Sequence, residues 1–342
     1  MKPDLFEAVL LLPRLRVQNA NAVSSPMTWG FPAPSAFTGF IHALQLRLNA
    51  IGHRLQFGGV GIVCHQFDPQ VFQPPGRRTQ VFRLTRNPVD KDGNTSAIVE
   101  EGRAHMEVSL VLTVSGEDCP YNDDDCKALA TQVLACAEGM RLAGGSVMPN
   151  PARQKHPAQW ITWPDLLDER RLEFRRLRRR LMPGFVLVSR EHLLAQHVGH
   201  LQAMQPQANA LDALLDLCRL NIEPDNTPDT APDKNDEASA ESTNSPTTWE
   251  VRKRHRGWLV PLPVGYAAIS PLYAPGEVKN ARDETQPFCF VESVLSLGEW
   301  VSPHRIAELP HLLWRHDGRP DAGLSRTSNP YSSFIDPTTP TI

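Results

Sequence analysis

The chain has 342 residues, with 35 basic and 38 acidic side chains and a formal charge of -3 at pH 7. That length holds one large domain or two modest ones, and 41% hydrophobic content excludes a wholly disordered chain. No apolar run reaches the ~18 residues of a membrane span. The start Met1-Lys2-Pro3-Asp4 lacks a small-residue cleavage site, so a cytoplasmic protein with no membrane partner is expected. Arginine outnumbers lysine 28 to 7. Phosphate and base recognition would favour its planar fork, and codon bias in a GC-rich genome would give the same count. The six cysteines form no C-x-x-C pair and several lie in apolar periodic segments, which predicts buried reduced thiols and no zinc site.

In chain order, residues 5–17 read as a strand, with Pro13 marking an edge or a bulge. A polar loop from Gln18 to Pro34 follows. Ser35 reads as the N-cap of a helix whose stripe is Phe37, Phe40, Ile41, Leu44 and Leu48. Residues 57–66 read as a strand entered through glycines. Residues 67–102 are turn-rich and basic, with Arg77, Arg78, Arg83 and Arg86, and read as a hairpin arm. From Ala104 to Val114 apolar and polar residues alternate as a strand. Asp123-Asp124-Asp125 opens a helix with Leu129, Val133, Ala137 and Met140 on one side, and Gly144-Gly145 is expected to end it. Ser146-Val147-Met148 is extended again. The resulting order, β–α–β–arm–β–α–β, predicts an α+β, ferredoxin-like (RRM-like) domain over 1–150, with both helices on one face of its sheet and the other face open.

The second half adds an α+β region. A helix is expected from Pro164 to Leu181, with Pro164 in its first turn and an apolar stripe of Leu167, Phe174, Leu177 and Leu181. Its surface carries seven arginines, among them Arg171, Arg175, Arg178 and Arg179, which phosphate binding would explain. Phe185–Val188 reads as a strand and Asn209–Leu220 as a helix, closing a basic extension over 151–220. Residues 221–248 hold seven acids and one lysine and read as a disordered acidic loop. A basic run, Arg252-Lys253-Arg254-His255-Arg256, follows at once. Over 249–342 short extended runs alternate with prolines, and the tail beyond Arg319 reads as poorly structured.

Catalytic signatures are weak. There is no G-x-S-x-G, P-loop or H-E-x-x-H. His42 sits where a ribonuclease might place a general base, but with no partner assignable a structural or surface histidine is the reading the residues favour. His192, His197 and His200 are poorly spaced for a metal, so neither metal nor cofactor is expected. Arg14 and Arg16, followed by Gln18, Asn19 and Asn21 with Trp29 and Phe31 nearby, combine the cations, amides and aromatics that suit single-stranded RNA. A solvated polar loop would carry the same residues.

The run Arg14-Leu15-Arg16-Val17-Gln18-Asn19-Ala20-Asn21-Ala22, continued by Ser24-Ser25-Pro26-Met27-Thr28-Trp29-Gly30-Phe31-Pro32-Ala33-Pro34-Ser35-Ala36, closely resembles a known signature. It is that of the Csy-type second subunit of type I-F CRISPR surveillance complexes, in the Cas-five group of RAMP proteins. Gly58–Ile62, His105–Leu110, Arg141–Ser146 and Leu181–Phe185 are similar to it in the same order. The resemblance implies a RAMP fold and a non-catalytic subunit of an antiviral complex. Such a subunit would hold the 5′ handle of the CRISPR RNA, pair with the large subunit, abut the adjacent backbone subunit, and meet target DNA through the assembled complex. Arg14, Arg16, Gln18, Asn19, Asn21, Arg77, Arg78, Arg141 and Ser146 are the residues expected at the RNA. The alternative is a RAMP-type endoribonuclease of precursor CRISPR RNA using His42. The acidic loop is outside the resemblance.

Overall fold

The computed structural model describes residues 6–83, 89, 92–95, 101–151, 154–224 and 249–331. The first strand is longer than expected, running as β1 from Ala8 to Asn21. Two short strands, β2 (Val23–Ser25) and β3 (Thr28–Trp29), lead to α1 (Pro34–Ala50). The expected stripe of α1 is buried, but its cap is Ala33 and Ser35 lies inside the helix, because Pro34 fits its first turn. Next come β4 (Gln56–Pro69), the arm hairpin β5 (Val71–Phe72) and β6 (Val81–Phe82), and β7 (Arg103–Ser115). The expectation at Arg86 lies outside the described residues.

Helix α2 spans Asp123–Ala137 and is capped by Asn122, whose side chain accepts from the Asp125 N–H. It ends at Glu138 and the positive-φ Gly139, not at Gly144-Gly145. Gly144 instead turns a hairpin with Ala143, both at positive φ, between β8 (Arg141–Leu142) and β9 (Gly145–Met148), which Gly145 begins. Beyond β10 (Gln159–Thr162), α3 covers Leu167–Arg180. Pro164 lies outside it, and its carbonyl accepts from Arg170 Nε at 2.6 Å. Then follow β11 (Phe185–Ser189), α4 (Glu191–Met204), which was not read from the sequence, and α5 (Ala210–Cys218), opened by an Asn209–Asp212 capping box. After β12 (Ile222–Pro224) and β13 (Trp249–Val251) come two long strands, β14 (Trp258–Ala268) and β15 (Val291–Val301). Pro261 and Pro263 fit inside β14 because β17 pairs only with Gly265–Ala267, leaving that edge without a ladder partner at the prolines. Strand β16 (Leu313–Arg319) follows, and its partner β17 (Leu324–Ser328) corrects the reading of a poorly structured tail beyond Arg319 over that stretch. Nearly all of the expected acidic loop, and residues 332–342, lie outside the described residues.

The chain is α+β, built on one large antiparallel sheet. In its first half the order is β4-β7-β1-β9. Helices α1 and α2 pack on one face of it, over Leu10, Leu12, Leu15, Val17, Leu110 and Leu112. Strand β1 is internal, so of the two readings of Pro13 the bulge holds: it lies in the register shift between Leu12 and Leu15. Pro13 is accommodated because β10 pairs with Ala8–Leu11 and β9 with Arg16–Gln18, and Pro13 falls in the gap between them. In the second half the sheet closes on itself. β4 pairs with both β16 and β11, and β11-β15-β14-β17-β16 completes a six-stranded ring. Trp314 fills its interior, fully buried, with Nε1 donating to the Leu187 carbonyl at 2.8 Å.

The face expected to be open is half covered. Val9, Leu11, Val63 and Val111 on that face pack beneath Phe174 and Leu177 of α3 and Ile306, Leu309 and Leu312 of the loop before β16. This is why Ser109 and Thr113, on the expected polar side of β7, are buried.

Candidate nucleic-acid interface

The uncovered half of that face begins where β1 leaves the α3 contact. β1 carries two bulges against β7, between Leu12 and Leu15 and between Val17 and Ala20. In each bulge one residue takes positive φ, Arg14 at 52° and Asn19 at 57°. A β7 side chain receives each displaced N–H: Ser109 Oγ takes that of Arg14 at 3.0 Å, and His105 Nδ1 that of Asn19 at 3.3 Å. The polar residues of β7 thus hold the bulges, and the bulges keep Arg16 and Gln18 on the uncovered face, both exposed.

Strand β9 extends this row. Gln18 is opposite Ser146, and Ser146 is opposite Arg141 on β8, so Gln18, Ser146 and Arg141 are cross-strand neighbours. All three are exposed. Asn21 is tied beside them, its N–H donating to the Ala143 carbonyl at 2.8 Å and its Nδ2 to Val23 O at 2.8 Å. Between β1, β7 and β4 lies a groove of about 230 Å3 lined by Arg16, Gln18, Gln66, Asp68, His105 and Glu107.

The expected residues divide. Arg16, Gln18, Asn19, Asn21, Ser146 and Arg141 come together. Arg14 points at Glu107, 2.7 Å away, and is only 19% exposed, so its charge is answered inside the protein. Arg77 and Arg78 are exposed at the turn of the β5–β6 hairpin. The root of that arm is tied to the same site through Gln70 Nε2, which donates to Asn19 Oδ1 at 2.6 Å. Sequence reasoning missed Gln66, Asp68, His105 and Glu107; the polar positions of the alternating strand 104–114 were the available signal for the last two.

On α3, Phe174, Leu177 and Leu181 are buried as expected, but Leu167 is 57% exposed because it begins the helix beyond the core. Arg178 turns inward. Its Nη1 donates to the carbonyls of Ile306 at 2.6 Å and His304 at 3.0 Å, and its guanidinium lies over the Phe174 ring. Burial, with Arg175 nearby, pushes its pKa down. Arg171 pairs with Asp168 at 3.5 Å, while Arg175 and Arg179 are exposed and have no ion pair among the described residues.

His42 is exposed on α1, over the opposite face of the sheet, in a separate cavity of about 520 Å3 shared with Tyr266 and His316. His197 pairs with Asp216 at 2.9 Å, and no metal-ligand cluster occurs among the described residues. The six cysteines are free; Cys119 and Cys126 are buried and the other four only partly so. No described helix is long and apolar enough to cross a membrane.

Fold and site together define an α+β protein with an exposed row of arginine, amide and hydroxyl groups beside a polar groove on one antiparallel sheet. The family described as CRISPR-associated protein (Cas_Csy2) matches residues 10–327. The chain is also 54% identical over 327 residues to the CRISPR-associated protein Csy2 of Pseudomonas aeruginosa (strain UCBPP-PA14), covering 95% of this chain and 96% of that one. The chain belongs to this family, which places it in type I-F CRISPR antiviral defence as a component of the Csy complex.

Proposed function

We propose that this chain is a non-catalytic, RNA-binding subunit that holds the 5′ handle of the CRISPR RNA, pairs with the large subunit and abuts the adjacent backbone subunit. In this reading residues 1–150 form a ferredoxin-like RAMP domain, which the β4-β7-β1-β9 order with both helices on one face supports. The observation that carries the reading is the exposed row Arg16, Gln18, Ser146 and Arg141 over the groove. Unpaired arginines supply phosphate contacts, and neutral amides and a hydroxyl supply donors and acceptors for splayed bases. Arg77 and Arg78 of the arm, and Arg175 and Arg179 of α3, are further cations for RNA or a partner subunit. Target DNA meets the chain through the assembled complex, in the cytoplasm of a prokaryote.

The test is RNA binding by the full chain, co-expressed with its partner subunits, across a salt series. Arg16→Ala and Arg141→Ala should each lower the slope of log affinity against log salt by about 0.7. Unchanged affinity and slope in both would refute the groove assignment. Precursor RNA should stay intact in every preparation; cleavage abolished by His42→Ala would overturn the non-catalytic reading in favour of an endoribonuclease.

A further inference from the structure

Next to the polar groove is a second cavity, of about 510 Å3, between β3, β4, β11, β14 and β15. Its volume is in the range of sites that bury small planar ligands. Its lining is mostly aromatic and apolar, including Phe31, Phe67, Phe185, Trp258 and Trp300. Three rings at this cavity are left open to solvent: Trp258 is 57%, Trp29 53% and Phe185 45% exposed. Phe185 and Trp258 meet edge to face with centroids 5.6 Å apart, and Trp258 lies 6.3 Å from Trp300.

The titratable groups in this cavity are uncharged at neutral pH. Burial pushes the Cys64 thiol up to about 12. Burial also lowers the His65 pKa, and both its ring nitrogens are occupied, Nδ1 by the Pro183 carbonyl at 2.6 Å and Nε2 by Ser109 Oγ at 2.7 Å. The cavity therefore offers no charge to hold a phosphate, and its rings suit a neutral ring with a π-face.

Gln66 belongs to both cavities. Its side chain is exposed and makes no hydrogen bond among the described residues. It thus places a free amide, one acceptor and two donors, at the junction of the aromatic cleft and the groove that carries Arg16.

We infer that the aromatic cleft seats an unpaired nucleobase of the RNA whose backbone runs along the groove, with Gln66 at the edge of that base. The inference rests on the groove being the RNA path proposed above. Arg16 holds a phosphate, the chain turns at Gln66, and the base leaves solvent to stack on Trp258 or Phe185. An apolar side chain of a protein partner would fill the cleft without any use for the Gln66 amide or for Arg16 in the adjoining groove.

The experiment measures binding of single-stranded RNA with the repeat-derived 5′ sequence to the full chain, co-expressed with its partner subunits. Base stacking on an aromatic side chain is worth 5- to about 150-fold per base. Trp258→Ala and Phe185→Ala should each weaken binding within that range and leave the salt slope unchanged, since no phosphate contact is lost. Trp258→Phe should restore most of the affinity, which separates stacking from a folding defect. RNA carrying 4-thiouridine, substituted position by position, should crosslink to peptides containing Phe185, Trp258 or Gln66 at one or two positions only. If Arg16→Ala weakens binding while Trp258→Ala and Phe185→Ala do not, the base-seating inference fails and the groove reading stands. If neither class of variant affects binding, both fail. If Trp258→Ala keeps RNA affinity but loses a co-purifying subunit, the cleft docks protein and the inference is overturned.

Discussion

Gly145 offers a direct test of how the exposed row is built. The β8–β9 hairpin lies close against the second bulge of β1. A Cβ on Gly145 would stand 2.6 Å from the Ala20 nitrogen, 2.6 Å from the Gln18 carbonyl oxygen and 2.8 Å from the Ala20 Cα. All three are backbone atoms, so no rotamer change relieves the clash; the hairpin must move away from β1. Gly145→Ala is therefore expected to cost about 1–3 kcal/mol, the usual penalty for forcing a methyl group into packed structure. It should also separate Ser146 and Arg141 from Gln18, so RNA affinity falls with stability. The neighbouring positions are controls. Gly144 has φ +75° but nothing within 4 Å of a built Cβ, so Gly144→Ala should cost roughly 1–2 kcal/mol of backbone strain with RNA affinity preserved. Ala143 already sits at φ 50°, so Ala143→Gly should be neutral or stabilising by up to ~1 kcal/mol. Urea titrations followed by tryptophan fluorescence, paired with RNA binding in native buffer, measure both quantities. A Gly145→Ala chain within ~0.3 kcal/mol of the unaltered one, with the same RNA affinity, would refute the argument that close approach sets the row.

On α3, Arg178→Ala should destabilise the fold by about 1–3 kcal/mol, because the His304 and Ile306 carbonyls lose their donor. Arg175→Ala and Arg179→Ala should stay within about 0.5 kcal/mol of the unaltered chain by the same denaturation. Glu299→Ala should cost about 3–5 kcal/mol by removing the partner of the nearly buried Arg190, 3.3 Å away; a smaller loss than Arg178→Ala would argue against that pair. The depressed pKa of His65 gives a pH prediction. The unfolded chain protonates that imidazole near pH 6.5 while the folded chain resists, so its contribution is complete above that pH and declines as pH falls below it. His65→Gln should flatten that part of a stability-against-pH curve measured between pH 7.5 and 5.

The legible elements were those whose pattern is local. The α1 stripe from Phe37 to Leu48 and the apolar side of the 104–114 strand are buried as their spacing predicts, and a helix follows Asn209 as expected. What failed to read depends on contacts distant in sequence. The end of α2 was misplaced because Gly144-Gly145 and Gly139 carry the same local signal, and only pairing with β1 makes the first a hairpin turn. β17 was invisible because Leu324–Ser328 has little apolar pattern and is held by ladders to β14 and β16. For the site, Arg16, Gln18, Asn19 and Asn21 lie within one short run, and Ser146 and Arg141 were reached only through the family resemblance. Gln66, Trp258 and Phe185 carry no sequence signal of proximity, since ring closure alone sets β11 against β4 and brings β14 to the same cavity.

Ring closure also changes the meaning of the arginine excess. Several arginines serve the fold: Arg14 on Glu107, Arg178 on two carbonyls, Arg190 on Glu299, Arg326 between Glu191 and Asp317, and Arg254 between Asp216 and Glu223. These would be needed whatever the protein bound, and the acidic partners they consume help explain a near-neutral total. Arg16, Arg141, Arg175 and Arg179 are different, because none of them makes an ion pair among the described residues; Glu107, opposite Arg16 on β7, is paired with Arg14. Codon bias would scatter arginines without regard to partners. The first two of these instead lie on the exposed row beside the groove, and the other two are one turn apart on α3. A net charge of -3 therefore coexists with local sites open to a polyanion, since recognition depends on the charges left unanswered at the surface rather than on their sum.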